Sequence, residues 1–307
     1  MNIPNFDSVR VLVVGDVMLD KYILGEITRI SPESPTPIIN PTERKYVVGG
    51  AGNVAVNLSS LGCETTFIGI TGNDTNSTIL SKLLSDNKIS THLINDDKRT
   101  TTIKTRVVSQ GRQLLRVDDE DTLAVKDDIL TEVIETLTNI IYNVDVVVLS
   151  DYNKGMFNNN LAKVIINKCR LSNIPVFVDP KGLDWHRYYG ATCITPNMGE
   201  FLDVGGLNTA NSLNVGYVLV TKGADGMTLI SEDGETHIPT TAKSVYDVSG
   251  AGDTVIATLA GAHGAGVSIQ DAVHIANIAA GIVVGIMGTS PITKELLISE
   301  MNNIGRT

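Results

Sequence analysis

The chain has 307 residues, of which 42 % are hydrophobic, and its 24 Lys or Arg against 34 Asp or Glu give a formal net charge of −10. This acidity argues against a nucleic-acid partner, because phosphate binding needs a basic face, while the apolar share is enough for a sizeable core. No stretch resembles a secretion signal or reaches the ~20 apolar residues of a membrane span, so we expect a soluble, cytoplasmic protein without a membrane partner.

The first part of the chain alternates strand and helix signals around one extended excursion. A continuous apolar run over residues 9–14 predicts a strand buried on both faces of a sheet. Residues 28–41 contain four prolines and predict an extended excursion with short edge strands. Helical spacing begins after Gly50 and stops at Gly62, and a strand over residues 65–70 follows.

A second extended region follows a helix that we expect to open at Asp74. Residues 100–108 and 113–117 are rich in β-forming residue types and are separated by a short turn. Together with the proline-rich excursion they predict a small β sheet that stands off the main body. We expect this lid to comprise segments 28–48 and 96–118.

From residue 125 onwards, strand and helix signals alternate strictly. The predicted elements are helix 125–142, strand 144–150, helix 158–173, strands 175–179, 193–195 and 217–221, a hairpin near 233–234, and helices near 250–265, 268–286 and 291–303. Such alternation indicates a mostly parallel sheet covered by helices on both faces. The fold class is therefore α/β, and residues 1–307 are expected to form one domain with the β lid.

Residues 247–254, with the sequence Asp-Val-Ser-Gly-Ala-Gly-Asp-Thr, form the most informative motif. Small residues let the backbone approach a ligand, and a helix that starts there points its N–H groups at an anion. The carboxylate of Asp253 would repel a phosphate, but it makes sense if it accepts a proton from a hydroxyl that attacks the phosphate. The alternative is an aspartate that caps an ordinary helix.

Three further segments carry polar residues at element ends, and each has a plain structural alternative. Residues 49–55 start a helix with small residues and Asn53, which suits either a polyhydroxy ligand or close helix packing. Asn197 and Glu200 share a helix face and suit either a hydrated Mg²⁺ or a capping pair. Residues 218–226 run from a strand into a glycine turn, which suits either a nucleotide or a hairpin.

In their order and spacing, these four motifs resemble those of the ribokinase-like (phosphofructokinase B) sugar kinases. The resemblance runs from about residue 9 to residue 300. It implies a three-layer α/β/α fold with a small β lid, ATP and Mg²⁺ as cofactors, and transfer of a phosphoryl group to a sugar hydroxyl.

Within the family, several stretches look like the kinases that phosphorylate D-glycero-β-D-manno-heptose 7-phosphate at its anomeric hydroxyl. They are residues 15–22, 29–35, 115–118, 150–155, 179–182 and 246–254. The resemblance implies formation of the 1,7-bisphosphate, a step toward ADP-heptose for lipopolysaccharide or other surface glycans. Many bacteria fuse this kinase to a nucleotidyltransferase. The chain has no His-x-Gly-His motif and resembles the stand-alone kinase or the isolated kinase half.

The resemblance also implies roles for individual residues. Asp253 would be the general base, and the anion hole for the transferring phosphoryl group would be formed by the amides of Gly250, Ala251 and Gly252. Sugar hydroxyls would be held by Asp16, Asp20, Gly50 and Asn53, and the sugar phosphate by Lys104, Arg116, Asp118 and Lys154. Along the ATP would lie Lys181, Asn197, Glu200, Thr221, Gly223 and Asn277, with Mg²⁺ held through water at Asn197 and Glu200. A monovalent cation such as K⁺ would lie beside Asp247, Ser249, Gly288 and Ser290.

Other functions remain open at the level of sequence. Another kinase of the same family, acting on a different sugar or on a nucleoside, fits the same motifs. A dinucleotide-binding oxidoreductase is disfavoured because residues 15–20 lack the Gly-x-Gly-x-x-Gly turn after the first strand. A non-catalytic sugar sensor is disfavoured because Asp253 is present. The off-body sheet also suggests a clasped homodimer.

Overall fold

The computed structural model describes residues 3–286, 288 and 290–304. The strands, in chain order, are β1 (Arg10–Gly15), β2 (Val17–Ile30), β3 (Pro37–Gly50), β4 (Glu64–Thr71), β5 (Ser90–Asn95), β6 (Ile103–Ser109), β7 (Arg112–Asp119), β8 (Val146–Ser150), β9 (Val176–Asp179), β10 (Cys193–Ile194), β11 (Tyr217–Thr221), β12 (Met227–Ser231) and β13 (Gly234–Ile238). The helices are α1 (Ala51–Leu61), α2 (Thr75–Asp86), α3 (Asp127–Ile140), α4 (Leu161–Leu171), α5 (Met198–Asp203), α6 (Leu207–Ser212), α7 (Ala251–Gly264), α8 (Ile269–Val283) and α9 (Lys294–Ile304). Within these residues no helix is both long and apolar enough to span a bilayer.

The central strand β1 sets the architecture, because it is buried along almost its whole length. It pairs in parallel with β4 on one side and β8 on the other, within a nine-stranded sheet ordered β13-β12-β11-β10-β9-β8-β1-β4-β5. Alternate side chains enter two cores: Val11 and Val13 share one with α1, α7 and α8, and Leu12 and Val14 share the other with α3 and α4. This three-layer α/β/α arrangement confirms the predicted fold class.

Most predicted elements are present, with their ends shifted by a few residues. Helix α1 starts directly after Gly50 and is closed by Gly62, whose φ of 106° lies in the left-handed region. Asp74 caps α2 as expected, because its side chain accepts a hydrogen bond from the Ser77 N–H. Strand β5 is an addition to the predicted elements. It lies at the sheet edge and is largely exposed, so it has no continuous apolar run.

The second sheet, which we call the lid sheet, has the strand order β3-β2-β6-β7. Its first two strands are 14 residues each, so the expectation of short strands is wrong, and β2 follows β1 after the single residue Asp16. The expectation of an edge strand holds for β3. This strand contains Pro37 and Pro41, and an edge strand tolerates residues that lack an N–H. The β6–β7 hairpin turns at Gln110 and Gly111, both with positive φ.

A buried polar contact fixes α7 against α1. The side-chain oxygen of Asn57 accepts hydrogen bonds from the Thr254 hydroxyl at 3.1 Å and from the Ile292 N–H at 3.0 Å. The side-chain amide of Asn57 donates to the Asn53 carbonyl at 2.8 Å, one turn earlier in α1. Because Asn57 and Thr254 are buried, water cannot replace these bonds, so the contact fixes how the two helix starts face each other.

We predict that Asn57→Ala lowers the free energy of unfolding by about 1–3 kcal/mol, because the buried N–H of Ile292 loses its acceptor and the Thr254 hydroxyl keeps only its bond to the Gly250 carbonyl. Urea denaturation of the purified protein measures this change. The matched control is Asn167→Ala on the exposed face of α4, which should change the free energy by less than ~0.5 kcal/mol. Equal stability of the two variants would contradict the prediction.

Candidate active site

The first turn of α7 carries a buried carboxylate. Asp253 is 7 % exposed, and the side-chain amide of Asn53, in the first turn of α1, donates to its Oδ2 at 2.7 Å. The hydroxyl of Tyr152, in the loop after β8, donates to its Oδ1 at 2.5 Å. The cap position of α7 is Gly250, so Asp253 is not the helix cap that the sequence left open. It joins three separate parts of the chain instead.

Burial dominates the electrostatics of Asp253. It raises the pKa of the carboxyl to about 6, and the charge of Asp20 acts in the same direction. The hydrogen bonds from Asn53 and Tyr152 favour the charged form and lower the pKa. The carboxyl is therefore ionised at neutral pH and yet basic enough to accept a proton.

The glycine turn before Asp253 leaves open space for a ligand. Gly250 has a φ of 78° in the left-handed region that favours glycine, and a Cβ at Gly252 would meet no atom within 4 Å. The first N–H groups of a helix lack partners within the helix, so they suit an anion. The N–H of Ala251 differs, since it donates to the Val248 carbonyl at 3.2 Å. Ala251 therefore takes part in the turn, and its place in the anion hole stays a prediction.

The start of α1 packs closely against β1 and β2. Gly50 has a φ of 59°, and a Cβ there would lie 2.5 Å from the carbonyl oxygen of Asp16. A Cβ at Gly52 would lie 2.3 Å from Val48. The close-packing alternative therefore accounts for these glycines. Asn53 directs its amide to the buried acid, which makes it a partner of that carboxylate.

Asp16, at the end of β1, holds the loop that follows β8. Its carboxylate accepts the backbone N–H groups of Tyr152 at 2.9 Å, Lys154 at 3.0 Å and Met156 at 3.4 Å. Burial raises the pKa of Asp16 to about 6, and these N–H groups oppose the rise. Because three backbone N–H groups bond to its oxygens, Asp16 supports the loop, and its contact with sugar hydroxyls stays a prediction. The Lys154 side chain pairs with Glu120 at 2.7 Å.

One face of the lid sheet, which we call the charged face, lies next to the buried acid. Asp20 on β2 forms an ion pair with Arg106 on β6. The strand register places Lys104 beside Asp20 and opposite Asp118, on the same face. Arg116 lies on this face too, and it pairs with Asp118 at 2.9 Å. The charged face thus brings together Asp20 and three of the residues expected near the sugar.

A cavity of about 370 Å³ opens between the start of α7, α8 and the turn after β11. Its walls are mostly small or apolar, and they include Met227, Val245, Val248, Val255, Ala280 and Val284. Thr221, Gly223 and Asn277 also line it, next to Gly252. A second cavity of about 340 Å³ shares Thr221 and Gly223 and continues to Asn197. Four residues expected along the nucleotide therefore line two adjoining cavities of a size that suits one.

Asn197 and Glu200 form a capping box at the start of α5. The Asn197 side chain accepts the Glu200 N–H at 3.0 Å, and the Glu200 carboxylate accepts the Asn197 N–H at 3.0 Å. Lys181 pairs with the other oxygen of Glu200 at 2.6 Å. The structure therefore shows the capping pair, and a hydrated Mg²⁺ near these two residues stays a prediction. In the part of the chain that the structure describes, no group of three His, Cys, Asp or Glu side chains could hold a metal ion.

The residues expected near a monovalent cation adjoin the end of α8. The Asp247 side chain accepts the Ser249 N–H at 2.9 Å, and the Asp247 N–H donates to the Val284 carbonyl at 3.3 Å. Gly288 and Ser290 follow α8 in the chain. These four residues thus lie in two segments, the loop before α7 and the segment after α8.

The sequence interpretation misses Tyr152 and Arg106. Tyr152 bonds to Asp253, which is 101 residues later, and Arg106 bonds to Asp20, which is 86 residues earlier, so neither contact leaves a local pattern. Each residue nevertheless carries a signal. Tyr152 lies in a stretch that resembles the heptose kinases, and Arg106 follows Lys104 at the two-residue spacing of one strand face.

Comparison with known proteins gives relatives over almost the whole chain. The family model described as pfkB family carbohydrate kinase matches residues 9–295. The chain is 42 % identical over 305 residues to the bifunctional protein HldE of Vibrio parahaemolyticus serotype O3:K6, and 43 % identical over 311 residues to that of Pseudomonas aeruginosa. These matches cover 95 % and 97 % of this chain and 63 % and 64 % of the relatives, so the chain spans less than two thirds of their length.

Solved structures share the fold. Phosphofructokinase-2 from Escherichia coli in complex with potassium has a TM-score of 0.81 at 17 % identity, over 97 % of this chain and 100 % of that chain. Ribokinase from Arabidopsis thaliana, complexed with ribose and ATP, has a TM-score of 0.70 at 20 % identity, over 95 % and 98 %. At 17 % and 20 % identity, these solved structures show a shared fold, whereas the family model matches the amino-acid sequence itself over residues 9–295. On that match, this chain belongs to the pfkB family of carbohydrate kinases.

Proposed function

We propose that this chain transfers a phosphoryl group from ATP to the anomeric hydroxyl of D-glycero-β-D-manno-heptose 7-phosphate, which yields the 1,7-bisphosphate. The observation that carries the kinase reaction is the buried carboxylate of Asp253, flanked by the 370 Å³ cavity and by the charged face of the lid sheet. The relatives support the substrate. They are bifunctional proteins named HldE, which fits a heptose kinase fused to a nucleotidyltransferase.

The position and pKa of Asp253 suit a general base. Because its pKa is about 6, it is ionised at neutral pH and accepts the proton that the sugar hydroxyl loses. As that oxygen bonds to the γ-phosphorus, the bond from phosphorus to the ADP oxygen breaks. The N–H groups of Gly250 and Gly252, at the positive end of α7, would stabilise the charge on the transferring group.

The two adjoining cavities suit ATP. Small and apolar side chains would surround the base, and Asn277 offers a polar group in the same wall. Gly223 and Gly252 both leave open space where a side chain would stand, which lets phosphates approach the backbone. An ATP-dependent reaction is expected in the cytoplasm, where ATP is available.

Two cations complete the proposal. Mg²⁺ keeps several waters, so it would be held by phosphate oxygens and water, with Asn197, Glu200 and Lys181 nearby. When bound, it would neutralise phosphate charge. A K⁺ ion would be held by the segments that carry Asp247, Ser249, Gly288 and Ser290. The potassium in the phosphofructokinase-2 structure supports this assignment.

The charged face suits the phosphorylated end of the substrate. Lys104, Arg106 and Arg116 provide cations there in a chain that is acidic as a whole, so their effect is local. Asp20, beside the base, would accept a bond from a sugar hydroxyl. A phosphate would then compete with Asp20 and Asp118 for the guanidinium groups.

The lid sheet would cover the sugar and exclude water, which otherwise competes for the phosphoryl group. We assign this role to the whole of the expected lid, segments 28–48 and 96–118. The opposite face of the sheet exposes Leu115 (57 %) and Val117 (51 %), and the edge strand β7 is exposed along its whole length. An exposed edge strand with apolar side chains suits a second copy of the chain, so we propose a homodimer.

Gly252→Val is expected to lower the affinity for ATP at least about tenfold, because the new side chain fills the open space beside the cavity. Calorimetric titration with a non-hydrolysable ATP analogue measures the affinity. Gly252→Ala adds one methyl group and should have a smaller effect. Both variants should remain as stable as the wild type, since glycine is the poorer helix former. Unchanged affinity in Gly252→Val would place the nucleotide elsewhere.

Asp253→Asn is expected to lower kcat by about 10²–10⁴, because the amide keeps the shape of the carboxylate but cannot accept the proton. Its affinity for ATP should remain within about threefold of the wild type. Coupled detection of ADP release measures the rate. The control, Asp86→Asn on the exposed end of α2, should keep the wild-type rate. Near-normal turnover in Asp253→Asn would remove its assignment as the base.

The phosphate of the substrate gives a third test. We expect kcat/KM for the heptose 7-phosphate to exceed that for the unphosphorylated heptose by about 10²-fold, because two charge-assisted contacts are lost with the phosphate. Lys104→Ala should lower kcat/KM for the phosphorylated sugar alone. Its control, Lys21→Ala, alters a cation on the opposite face of the same sheet. Equal kcat/KM for the two sugars would favour another sugar or nucleoside as the substrate.

A further inference from the structure

Asp253 receives one hydrogen bond on each carboxylate oxygen. Asn53 donates to Oδ2 at 2.7 Å, and the Tyr152 hydroxyl donates to Oδ1 at 2.5 Å. Because the donors come from α1 and from the loop after β8, rotation of the carboxylate would break both bonds. Each oxygen keeps a further lone pair, so a substrate hydroxyl can still be accepted.

The loop that carries Tyr152 is held by its backbone. The Tyr152 N–H donates to the buried carboxylate of Asp16 at 2.9 Å. The next residue, Asn153, has a φ of 56°, and its N–H donates to the Asp151 side chain at 2.7 Å. The guanidinium of Arg99 donates to the Lys154 carbonyl at 2.6 Å. The backbone on both sides of the tyrosine is therefore fixed, and the ring has little freedom to leave Asp253.

Tyr152 acts as a donor throughout the working pH range. Burial and the negative charges of Asp253, Asp179 and Asp20 raise the pKa of its hydroxyl well above the ordinary value. The hydroxyl therefore stays protonated and cannot itself take the proton of a substrate.

We propose that Tyr152 is a positioning residue for the catalytic base, which orients the Asp253 carboxylate toward the sugar hydroxyl and stabilises its charged form. The inference rests on the proposed function, because it takes Asp253 as the base. In the reaction the sugar hydroxyl gives its proton to Asp253, and Tyr152 keeps its own.

Other groups around Asp253 also change the pKa of its carboxyl, and they differ in direction from Tyr152. Asp20, on β2, disfavours the charged carboxylate, and its ion pair with Arg106 moderates that effect. The charge of Asp253 raises the pKa of Asp179, at the end of β9, which indicates that the two carboxyl groups lie close together. Helix α1 contributes the uncharged amide of Asn53. The hydrogen bonds from Asn53 and Tyr152 thus lower the pKa of Asp253, against the rise that burial causes.

Tyr152→Phe keeps the ring and removes the donor. NMR titration of the ¹³C-labelled Asp253 carboxyl, assigned with Asp253→Asn, should show a midpoint near pH 6 in the wild type. In Tyr152→Phe the midpoint should rise by about one unit, because the charged form loses a hydrogen bond. The acidic limb of the pH profile of kcat/KM should move upward by the same amount. The variant should lose about fivefold at pH 6, about tenfold below pH 5, and recover above pH 8.

The matched control is Tyr188→Phe, which removes another buried tyrosine hydroxyl, one that donates to Asp151 at 2.6 Å. It should leave the Asp253 midpoint unchanged. If Tyr152→Phe does not fold, Tyr152→Leu must show the same upward shift. An unchanged midpoint in a folded Tyr152 variant overturns the proposal. The titration needs no substrate, so a shifted midpoint in a chain that does not phosphorylate the heptose 7-phosphate would refute the substrate and leave the positioning role intact.

Discussion

The site depends on one buried charge, the carboxylate of Asp253, which must lose its water and still remain ionised. Two donors make that state accessible, and they come from chain segments about 100 and 200 residues away. The order of the main sheet brings these segments together, because β1 and β8 are neighbours and because α1 and α7 share one core. The contact between Asn57 and Thr254 then keeps the two helix starts at a fixed separation. Packing of the core and chemistry of the site are therefore parts of one arrangement.

Features decided by near neighbours were predictable from the sequence. The apolar run of β1, the stop at Gly62 and the cap at Asp74 all depend on residues within a few positions. Asp253 was predictable too, because an acid after Gly-Ala-Gly at a helix start is unusual in its own segment. The resemblance to the sugar kinases added what no local pattern carries, namely that four weak motifs belong to one site.

Features decided by distant backbone were not predictable. The role of Asp16 follows from N–H groups about 140 residues later, and its position at a strand end equally suits a ligand. The capping box of Asn197 and Glu200 uses the same residues and spacing as an ion site would, so spacing could not separate the two. Strand β2 begins eleven residues before the expected lid segment, since one of its faces is charged and its sequence therefore mixes apolar and polar residues.

The first hairpin of the lid sheet joins the main body without linkers, since one residue separates β1 from β2 and none separates β3 from α1. A residue inserted at either joint would rotate the start of α1 and move the Asn53 side chain away from Asp253. The far end of the hairpin, the turn over residues 31–36, carries no such constraint and is exposed. We therefore expect insertions to be tolerated better the farther they lie from the joints along the two 14-residue strands. For protein engineering, a peptide tag or a redesigned loop in this turn preserves the geometry at the joints, but it interrupts residues 29–35, one of the stretches that resemble the heptose kinases.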